Sequence, residues 1–255
     1  MADWDVNLYL KFGKERTQPA IDLVNRIAHI NPKRIIDLGC GSGNSTQVLK
    51  AKWGDAEITG LDSSHEMIST AQKKYPDLKW IQGDISAWQD PSFDLIFSNA
   101  AFHWVPNHLE LLSRLISQLN VGGVLAFQVP YHKNSELHQL IHQIASEPHW
   151  GDQFATAKKA ITIESPGFYY DILCDKTVRV DIWKTEYIHE MDDHQAIIDW
   201  ISATGLRPYL DAMQRKNDKD LFIKRLEFGL RDIYPFQKNK KILFPFQRLF
   251  LIGYR

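Results

Sequence analysis

The chain has 255 residues, of which 44% are hydrophobic, and this composition supports a large folded core and excludes an intrinsically disordered protein. Its net charge of −1 is spread along the chain, so the concentrated basic surface typical of nucleic-acid-binding proteins is excluded. The two cysteines, Cys40 and Cys174, form no CxxC pattern, which argues against a disulfide framework and against a zinc site.

Residues 1–18 carry apolar and aromatic side chains at mixed helical spacing and end just before Pro19. Because proline is favoured in the first turn of a helix, Pro19 predicts a helix start, and residues 20–27 have an amphipathic pattern. We expect residues 1–18 to form an N-terminal lid over a ligand, although docking of a chain terminus would explain the same pattern.

A short apolar run that contains Ile35, Ile36 and Leu38 breaks into three alternating glycines, which are followed by Asn44-Ser45-Thr46. The apolar run predicts a buried parallel strand. Glycine permits a positive φ and a close approach of the backbone to a ligand, and the next helix presents its N-terminal N–H groups. The pattern therefore predicts a ligand-binding turn built around Gly39, Gly41 and Gly43.

Strand and helix patterns alternate from this turn to Pro130. Further strands are predicted at 57–61, 79–82, 93–98 and 124–129. Helices are predicted at 46–53, up to Tyr75, and at 108–119, the last with Leu109, Leu112, Leu115, Ile116 and Leu119 on one face. Five uninterrupted β-α units of this kind predict an α/β fold with a parallel sheet, helices on both faces and right-handed crossovers.

Three polar side chains follow predicted strands. Asp62 lies about 20 residues beyond the turn, where an acidic side chain can accept hydrogen bonds from two ribose hydroxyls. The alternative is a pure capping role, because Asp62-Ser63-Ser64 offers N-caps for the next helix. Asp84 follows the third strand and could accept from an exocyclic amine, while Ile85 could cover the face of a base. Asn99 lies at the carboxyl end of the fourth strand, and ligands of open parallel sheets bind at such ends.

The alternation ends at Pro130. A helix is predicted at 135–147, and strands are predicted at 178–188 and 242–254. Two amphipathic helical patterns lie between these two strands, one with Ile197, Trp200, Ile201 and Thr204 and one with Phe222, Leu226, Leu230 and Ile233. We expect residues 130–175 and 190–240 to be insertions that cap the strand ends.

His138 and His142 are four residues apart, which is the spacing of the two histidines in a zinc-binding H-E-x-x-H helix. The glutamate of that motif is absent after His138. The sequence therefore predicts an exposed helix face here, and no metal site.

The motifs Asp37-Leu38-Gly39-Cys40-Gly41-Ser42-Gly43, Asp62 and Gly83-Asp84-Ile85 together resemble the S-adenosylmethionine site of class I methyltransferases. Sequences along the rest of the chain resemble the trans-aconitate 2-methyltransferase family: Asp3-Trp4, Leu8-Tyr9-Leu10, Asn44-Ser45-Thr46, Trp104, Gln195-Ala196-Ile197-Ile198-Asp199-Trp200, Ala203-Thr204-Gly205-Leu206-Arg207-Pro208 and Arg248-Leu249-Phe250. The resemblance implies a single Rossmann-like methyltransferase domain over residues 1–255, with a seven-stranded, mostly parallel sheet, its last strand antiparallel, and a small helical cap. It also implies S-adenosylmethionine as methyl donor and monomethylation of a carboxylate on an unsaturated tricarboxylic acid.

The motifs and the resemblance together predict the residues that bind the donor. The glycines allow backbone approach, Asp62 binds ribose, Asp84 and Ile85 bind adenine, and Asn99 and Arg16 bind the methionine end. The predicted donor-binding set is Arg16, Asp37, Gly39, Gly41, Gly43, Asp62, Ser63, Met67, Asp84, Ile85 and Asn99.

Carboxylate methylation requires little acid-base chemistry, because an acceptor carboxylate with a pKa of about 4 is already ionised near neutral pH. We therefore predict a positioning mechanism without a catalytic residue. The other carboxylates of the acceptor need paired donors, which a planar guanidinium supplies. Arg207 is the first choice for this role, although Trp200 in the same region lies on an apolar helix face that favours the core. The predicted acceptor-binding set is His103, Tyr170, Trp200, Arg207, Tyr209 and Arg248.

Two other functions remain open at this stage. His103 stands where the resemblance implies glutamine, so another small metabolite could be the acceptor, and a donor-binding module without turnover is also compatible with the motifs. The predicted partner is a small polycarboxylate, and we expect no nucleic acid, membrane or obligate protein partner. The N-terminus lacks the basic and apolar regions of a signal peptide, which predicts a cytoplasmic protein.

Overall fold

The computed structural model describes residues 11–28, 30–132 and 135–255. Its strands are β1 (Arg34–Leu38), β2 (Glu57–Asp62), β3 (Lys79–Gln82), β4 (Phe93–Asn99), β5 (Leu119–Pro130), β6 (Arg179–Met191) and β7 (Ile242–Tyr254). Its α-helices are α1 (Gly13–Arg26), α2 (Asn44–Lys52), α3 (His65–Lys74), α4 (His108–Ser117), α5 (Glu136–Ile144), α6 (Pro166–Cys174), α7 (His194–Ser202), α8 (Arg207–Ala212) and α9 (Lys216–Ile233). Within the described residues, no helix combines the length and the apolarity needed to cross a membrane.

The seven strands form one sheet in the order β3-β2-β1-β4-β5-β7-β6. β1 pairs in parallel with β2 on one side and with β4 on the other, and β7 pairs antiparallel with β5. The strand order reverses between β1 and β4, and in open α/β sheets this reversal leaves a ligand-binding crevice at the carboxyl ends of the strands. The predicted Rossmann-like sheet with an antiparallel last strand is confirmed.

One step of the predicted alternation is wrong, because no helix separates β3 from β4. The Asp84 carboxylate accepts the Ser86 N–H at 2.8 Å, and the Asp84 carbonyl accepts the N–H groups of Ala87 and Trp88. Side-chain bonds of this kind compete with helix formation. Residues 83–92 therefore cross to β4 through turns.

The described residues divide into two compact units. The sheet unit comprises Gly13–Pro130, Thr162–Thr185 and Arg248–Arg255, and the helical unit comprises residues 11–12 together with Tyr131–Ile161 and Glu186–Gln247. The assignment of residues 130–175 and 190–240 to a cap stays a prediction. So does the lid at residues 1–18, of which residues 1–10 lie outside the described residues.

The core of the sheet unit consists of strands whose side chains are buried on both faces, as a parallel sheet covered by helices requires. Fully or almost fully buried side chains in β1, β4 and β5 are Ile35, Ile36, Leu38, Leu95, Ile96, Phe97, Val124, Leu125, Ala126 and Phe127. Two sequence predictions about helices in this unit are wrong. Pro19 lies inside α1 rather than at its start, and its burial with Ala20, Leu23 and Val24 offsets the lost helical hydrogen bond.

The second wrong prediction concerns the buried face of α4. Leu109 is 54% exposed, and Leu119 belongs to β5. The buried stripe is formed instead by His108, Leu111, Leu112, Leu115 and Ile116. His108 can lie on this buried apolar face because both of its ring nitrogens are hydrogen-bonded inside the protein.

The helical unit has its own apolar core, which is rich in aromatic rings. The rings of Trp150, Phe154, Tyr209 and Phe222 pack with centroids 5.4 to 6.2 Å apart. These residues come from two stretches that are far apart in the chain, 150–154 and 209–222. Side-chain packing therefore defines this unit.

Candidate functional site

The turn between β1 and α2 is held against the end of β2 by backbone hydrogen bonds. The N–H groups of Gly39 and Cys40 both donate to the Leu61 carbonyl, at 2.7 and 3.0 Å. Gly39, Gly41 and Gly43 have φ angles of 76°, 53° and 87°. Residues with a Cβ rarely adopt such angles, so this turn requires its glycines, as the sequence predicts.

The three glycines differ in what an added side chain would contact. A Cβ on Gly39 would lie 2.1 Å from the Ala101 Cβ, and a Cβ on Gly43 would lie 2.7 Å from the Trp80 ring. A Cβ on Gly41 would have no neighbour nearer than the Met67 Sδ at 3.9 Å. Packing therefore requires Gly39 and Gly43, whereas Gly41 borders open space that a ligand can occupy.

Asp62 ends β2 and connects the next loop to this turn. Its Oδ2 accepts the Gly41 N–H at 2.9 Å, and its Oδ1 accepts the Ser64 N–H at 2.9 Å. Within Asp62-Ser63-Ser64 the N-cap of α3 is Ser64, since its hydroxyl accepts the Met67 N–H, so Asp62 is not the capping residue. A carboxylate has about four acceptor sites, so Asp62 can hold the turn and also accept bonds from ribose hydroxyls. The ribose contact stays a prediction.

Asp37 is fully buried in β1, and its carboxylate is hydrogen-bonded to side chains in the first turn of α2. Its Oδ2 accepts the hydroxyls of Ser45 and Thr46, each at 2.7 Å. Burial, with a smaller contribution from nearby Asp62, raises the pKa of Asp37 to about 6 against the effect of these two hydrogen bonds. Asp37 is 0% exposed, so we expect it to act on the donor through the turn and α2.

The remaining adenosine-side candidates follow β2 and β3, which are adjacent strands. Ser63 is exposed, whereas Met67 and Ile85 are buried. Asp84 is exposed at the end of β3. The structure thus brings Ser63, Asp84 and Ile85 to the same edge of the sheet as the glycine turn, and their contacts with adenosine stay predictions.

Asn99 and Arg16, the two residues predicted to bind the methionine end of the donor, are in contact with each other, and their contacts with the donor stay predictions. Asn99 Nδ2 donates to the Arg16 carbonyl at 3.4 Å. Sequence reasoning missed Gln128, yet its Nε2 donates to Asn99 Oδ1 at 2.7 Å and its Oε1 accepts from Arg248 Nη1 at 3.3 Å. Gln128 therefore connects a predicted donor residue to a predicted acceptor residue. Its signal in the sequence is a polar side chain within an apolar strand.

His103 is buried in a short 3₁₀ turn, Phe102–Trp104, and His108 is hydrogen-bonded to the backbone of this turn. His108 Nε2 lies 3.0 Å from the Phe102 carbonyl, and its Nδ1 lies 2.7 Å from the Tyr169 hydroxyl. A carbonyl only accepts, so Nε2 carries the proton and Nδ1 accepts from the hydroxyl. The Tyr169 oxygen in turn accepts the Glu164 N–H at 3.2 Å.

Burial lowers the pKa of His108, which keeps the ring neutral and suited to this arrangement. Tyr169 lies in α6 beside the candidate Tyr170, which is 51% exposed. The His108–Tyr169 pair therefore joins the 3₁₀ turn that carries His103 to the helix that carries Tyr170. Sequence reasoning missed this pair because a histidine at the start of a helix resembles a surface residue.

The other three acceptor candidates belong to the helical unit. Arg207 opens α8 with a side chain that is 13% exposed, and its Nε lies 3.5 Å from the Asp211 carboxylate. Trp200 and Tyr209 are buried in the core, and burial raises the pKa of Tyr209 to about 12. Thus His103, Tyr170 and Arg248 lie in the sheet unit, and Trp200, Arg207 and Tyr209 lie in the helical unit. The acceptor contacts of all six stay predictions.

The prediction of an exposed face at His138 and His142 is wrong, because both side chains are half-buried in the helical unit. Their Nε2 atoms are 3.1 Å apart, and the His142 ring packs against the Tyr209 ring at 6.5 Å. Burial lowers the pKa of His142, and Lys158 lowers it further. Across the described ranges, no group of three or more His, Cys, Asp or Glu could hold a metal ion.

Comparison with known proteins agrees with this geometry. The sequence profile of a methyltransferase domain family matches residues 35–123, which contain the glycine turn, Asp62 and Asn99. The YcgJ protein of Bacillus subtilis superimposes with a TM-score of 0.62 over 93% of this chain and 98% of its own, at 14% identity. Phosphoethanolamine N-methyltransferase 2 of Haemonchus contortus, in complex with S-adenosyl-L-methionine, superimposes with a TM-score of 0.56 over 92% of this chain and 52% of its own, at 14% identity. At these identities the two structures show a shared fold.

Sequence relatives extend the similarity to the full length. Proteins described as trans-aconitate 2-methyltransferase from two Escherichia coli strains, E24377A and K12 DH10B, are each 43% identical to this chain. The alignments cover 100% of this chain and 99% of each relative. This chain therefore belongs to the trans-aconitate 2-methyltransferase family.

Proposed function

We propose that the chain transfers a methyl group from S-adenosylmethionine to one carboxylate of trans-aconitate, or of a closely related polycarboxylic acid, and gives a monomethyl ester. Membership of the family supports methyl transfer and this donor. The observation that carries the proposal is the junction of Gly41 with Asp62. Next to Gly41 there is open space for a ligand. The Gly41 N–H donates to the Asp62 carboxylate, which can also bind ribose.

The donor supplies a methyl group on a positively charged sulfur. We propose that Gly41 and Asp62 bind its ribose side and that Asn99 and Arg16 bind its methionine end. The side chains after β2 and β3 bind adenosine in this scheme: Ser63, Met67, Asp84 and Ile85. Gly39, Gly43 and Asp37 support the turn from within the fold.

The acceptor carboxylate is ionised near neutral pH and needs no general base. One of its oxygens forms a C–O bond to the methyl carbon while the S–C bond breaks and its electron pair returns to sulfur. Both charges disappear in this step, so a site with little water favours it. Alignment of the two reactants can contribute about 7–11 kcal/mol to the lowering of the barrier.

The unreactive carboxylates of the acceptor require cationic partners. Arg207 and Arg248 are both largely buried, and a guanidinium can bind a carboxylate through two parallel hydrogen bonds. We propose that these two arginines bind the acid. Lysine at either position would not reproduce the two bonds.

The test is incubation with methyl-labelled donor and a panel of acids that includes trans-aconitate, cis-aconitate and citrate, followed by identification of labelled esters. We expect trans-aconitate to give a monomethyl ester at the highest kcat/KM. Absence of an ester from every polycarboxylate, in protein that binds S-adenosylhomocysteine in calorimetry, would contradict the proposed acceptor.

A second candidate function retains the donor and changes the acceptor to another small metabolite. The buried ring of His103 favours it, because the resemblance implies glutamine at this position. Methylation of a phenol or a monocarboxylate in the same panel, with an acceptor KM unchanged by Arg207→Ala, would support it. Family membership favours either enzyme over a binding module without turnover.

The proposed partner is therefore a small polycarboxylate alone. We retain the cytoplasm as the proposed compartment and propose no nucleic acid, membrane or obligate protein partner. Fractionation of cells that express the tagged chain would test the compartment, with a soluble non-membrane fraction as the expected result.

A further inference from the structure

Polar side chains form a hydrogen-bonded chain across three neighbouring strands of the sheet. Arg248 Nη1 donates to Gln128 Oε1, Gln128 Nε2 donates to Asn99 Oδ1, and Asn99 Nδ2 donates to the Arg16 carbonyl, at 3.3, 2.7 and 3.4 Å. We infer that Gln128 is a positioning residue for methyl transfer. It fixes the acceptor-side Arg248 relative to the donor-side Asn99, and this inference rests on the proposed function.

The two ends of this chain determine its direction. The guanidinium of Arg248 can only donate, and the backbone carbonyl of Arg16 can only accept. Gln128 must therefore turn its oxygen to Arg248 and its nitrogen to Asn99, and Asn99 must turn its nitrogen to Arg16. Reversal of either amide would place two oxygens, or two NH₂ groups, against each other. One orientation of Gln128 thus serves both ends.

The strand register explains how these side chains meet. Asn99 in β4 is paired with Gln128 in β5, and Arg248 in β7 is paired with Pro130. Gln128 and Pro130 are two residues apart, so they share one face of the sheet, and Arg248 is the diagonal neighbour of Gln128 on that face. The backbone reinforces the contact, because the Ala100 N–H donates to the Gln128 carbonyl at 3.1 Å.

The fold alone does not require an amide at this position. Gln128 is 0% exposed, and Val124 and Ala126, which share its face of β5, are apolar and buried. A buried amide is unfavourable unless its polar atoms are bonded, and Gln128 meets this condition because Asn99 and Arg248 use both of its amide atoms. An amide also holds a guanidinium without cancelling its charge, which a carboxylate would do. Gln128 therefore suits an arginine that must bind an anionic acceptor.

Gln128→Glu keeps the size of the side chain and adds a negative charge beside Arg248. We expect the acceptor KM to rise about tenfold or more while the Kd for S-adenosylhomocysteine stays within about twofold. A protonated glutamate can donate to Asn99 and accept from Arg248 as glutamine does. The activity of Gln128→Glu relative to wild type should therefore rise as the pH falls from about 8 to about 5.5. Gln72→Glu, at an exposed position of α3, adds the same charge and should leave both constants unchanged.

Gln128→Met removes both hydrogen bonds and adds no charge. It keeps the inference testable if the glutamate variant does not fold. We expect kcat/KM for the acceptor to fall about tenfold, with donor affinity retained. If Gln128 acts through Arg248, the double variant Gln128→Met with Arg248→Met should lose no more activity than Arg248→Met alone. Multiplied effects in the double variant would overturn the inference.

The wild-type assay separates failure of the proposed function from failure of the inference about Gln128. Absence of an ester from every polycarboxylate would overturn the proposed function, and this inference with it. Ester formation by wild type, with an acceptor KM within about twofold of wild type in both Gln128→Glu and Gln128→Met, would overturn the inference alone.

Discussion

The glycine turn and the aromatic core of the helical unit are built in opposite ways. In the turn, backbone conformation decides the structure, since Gly39, Gly41 and Gly43 have positive φ and the loop is bonded through N–H groups. In the helical unit, packed rings such as Phe154 and Phe222 decide the structure. A few adjacent residues can therefore specify a donor site, whereas the surroundings of Arg207 depend on side chains far apart in the sequence.

The largest effect should come from opening a cavity in the aromatic core. Phe222 is fully buried, so Phe222→Ala should lower the free energy of unfolding by about 3–5 kcal/mol. Because the proposed donor site is made by the backbone of the sheet unit, the Kd for S-adenosylhomocysteine should stay within about twofold at a temperature where the variant is folded. Urea unfolding followed by tryptophan fluorescence and calorimetry would measure the two quantities.

Phe228→Ala is the control for this prediction, because Phe228 lies on the same helix, α9, and is exposed. It should change the free energy of unfolding by less than about 0.5 kcal/mol. A loss of donor affinity in folded Phe222→Ala would break the comparison, since it would make the donor site depend on the aromatic core.

Gly41→Ala should produce the next largest effect, and this effect should be on donor affinity. The added methyl group would occupy open space at the proposed donor site, and we expect S-adenosylhomocysteine to bind at least about 100-fold more weakly, or about 2.7 kcal/mol. The positive φ should cost about 1–2 kcal/mol of stability. Calorimetry and thermal unfolding would separate the two effects.

Gly122→Ala provides the matched control. Gly122 has a φ of 80° and nothing within 4 Å of an added Cβ, so it carries the same backbone penalty far from the glycine turn in sequence. It should lose similar stability and retain donor affinity. Equal donor affinity in Gly41→Ala and wild type would contradict the donor site at this turn.

The parts of the molecule that sequence predicts well are those that depend on local chemistry. The strand before Gly39, the glycine turn and Asp62 at the end of β2 follow from neighbouring residues, because positive φ and strand burial select particular amino acids. The same local reasoning fails at Pro19, where burial of α1 offsets a lost hydrogen bond, and between β3 and β4, where Asp84 forms a turn instead of a helix.

The parts that sequence does not predict depend on partners distant in the chain. Gln128 and Arg248 meet only because β7 runs antiparallel to β5, and His108 tolerates burial because Tyr169 donates a hydrogen bond to its ring. Periodicity treats such polar residues as exposed, which also explains the error at His138 and His142. A buried polar residue has no local signal that identifies its partner.

Arg207→Ala should have a smaller effect than Phe222→Ala or Gly41→Ala, and it should change only the binding of the acceptor. We expect the acceptor KM to rise about 10-fold, equivalent to about 1.4 kcal/mol, with the donor Kd unchanged. Arg207→Lys should restore little, because an ammonium cannot form the paired bonds of a guanidinium. Steady-state kinetics with trans-aconitate as the varied substrate would measure both.

Arg231→Ala is the control, because Arg231 also pairs with a carboxylate four residues away, Glu227, on an exposed helix face of the same unit. It should leave the acceptor KM unchanged and alter stability by less than about 0.5 kcal/mol. Equal KM values for Arg207→Ala and wild type would remove Arg207 from the acceptor site and limit the helical unit to a structural role.

The pH dependence of stability tests a region of the sheet unit that is built from side chains, the His108–Tyr169 pair. Burial lowers the pKa of His108 in the folded protein, whereas an unfolded histidine titrates near about 6.5. As the pH falls through that value, the unfolded chain binds a proton that the folded chain does not. The stability present above this pH is therefore lost on acidification, by at most about 1.4 kcal/mol per pH unit.

Substitution separates this histidine from all other titrating groups. The amide introduced by His108→Gln could donate to the Phe102 carbonyl and accept from Tyr169 without titrating, so the variant's free energy of unfolding should fall less than that of wild type between about pH 8 and about pH 5. Tyr169→Phe keeps the buried histidine and should be less stable at every pH by about 1–3 kcal/mol, since it leaves the Glu164 N–H without this acceptor. An identical pH dependence in His108→Gln and wild type would contradict a neutral buried His108.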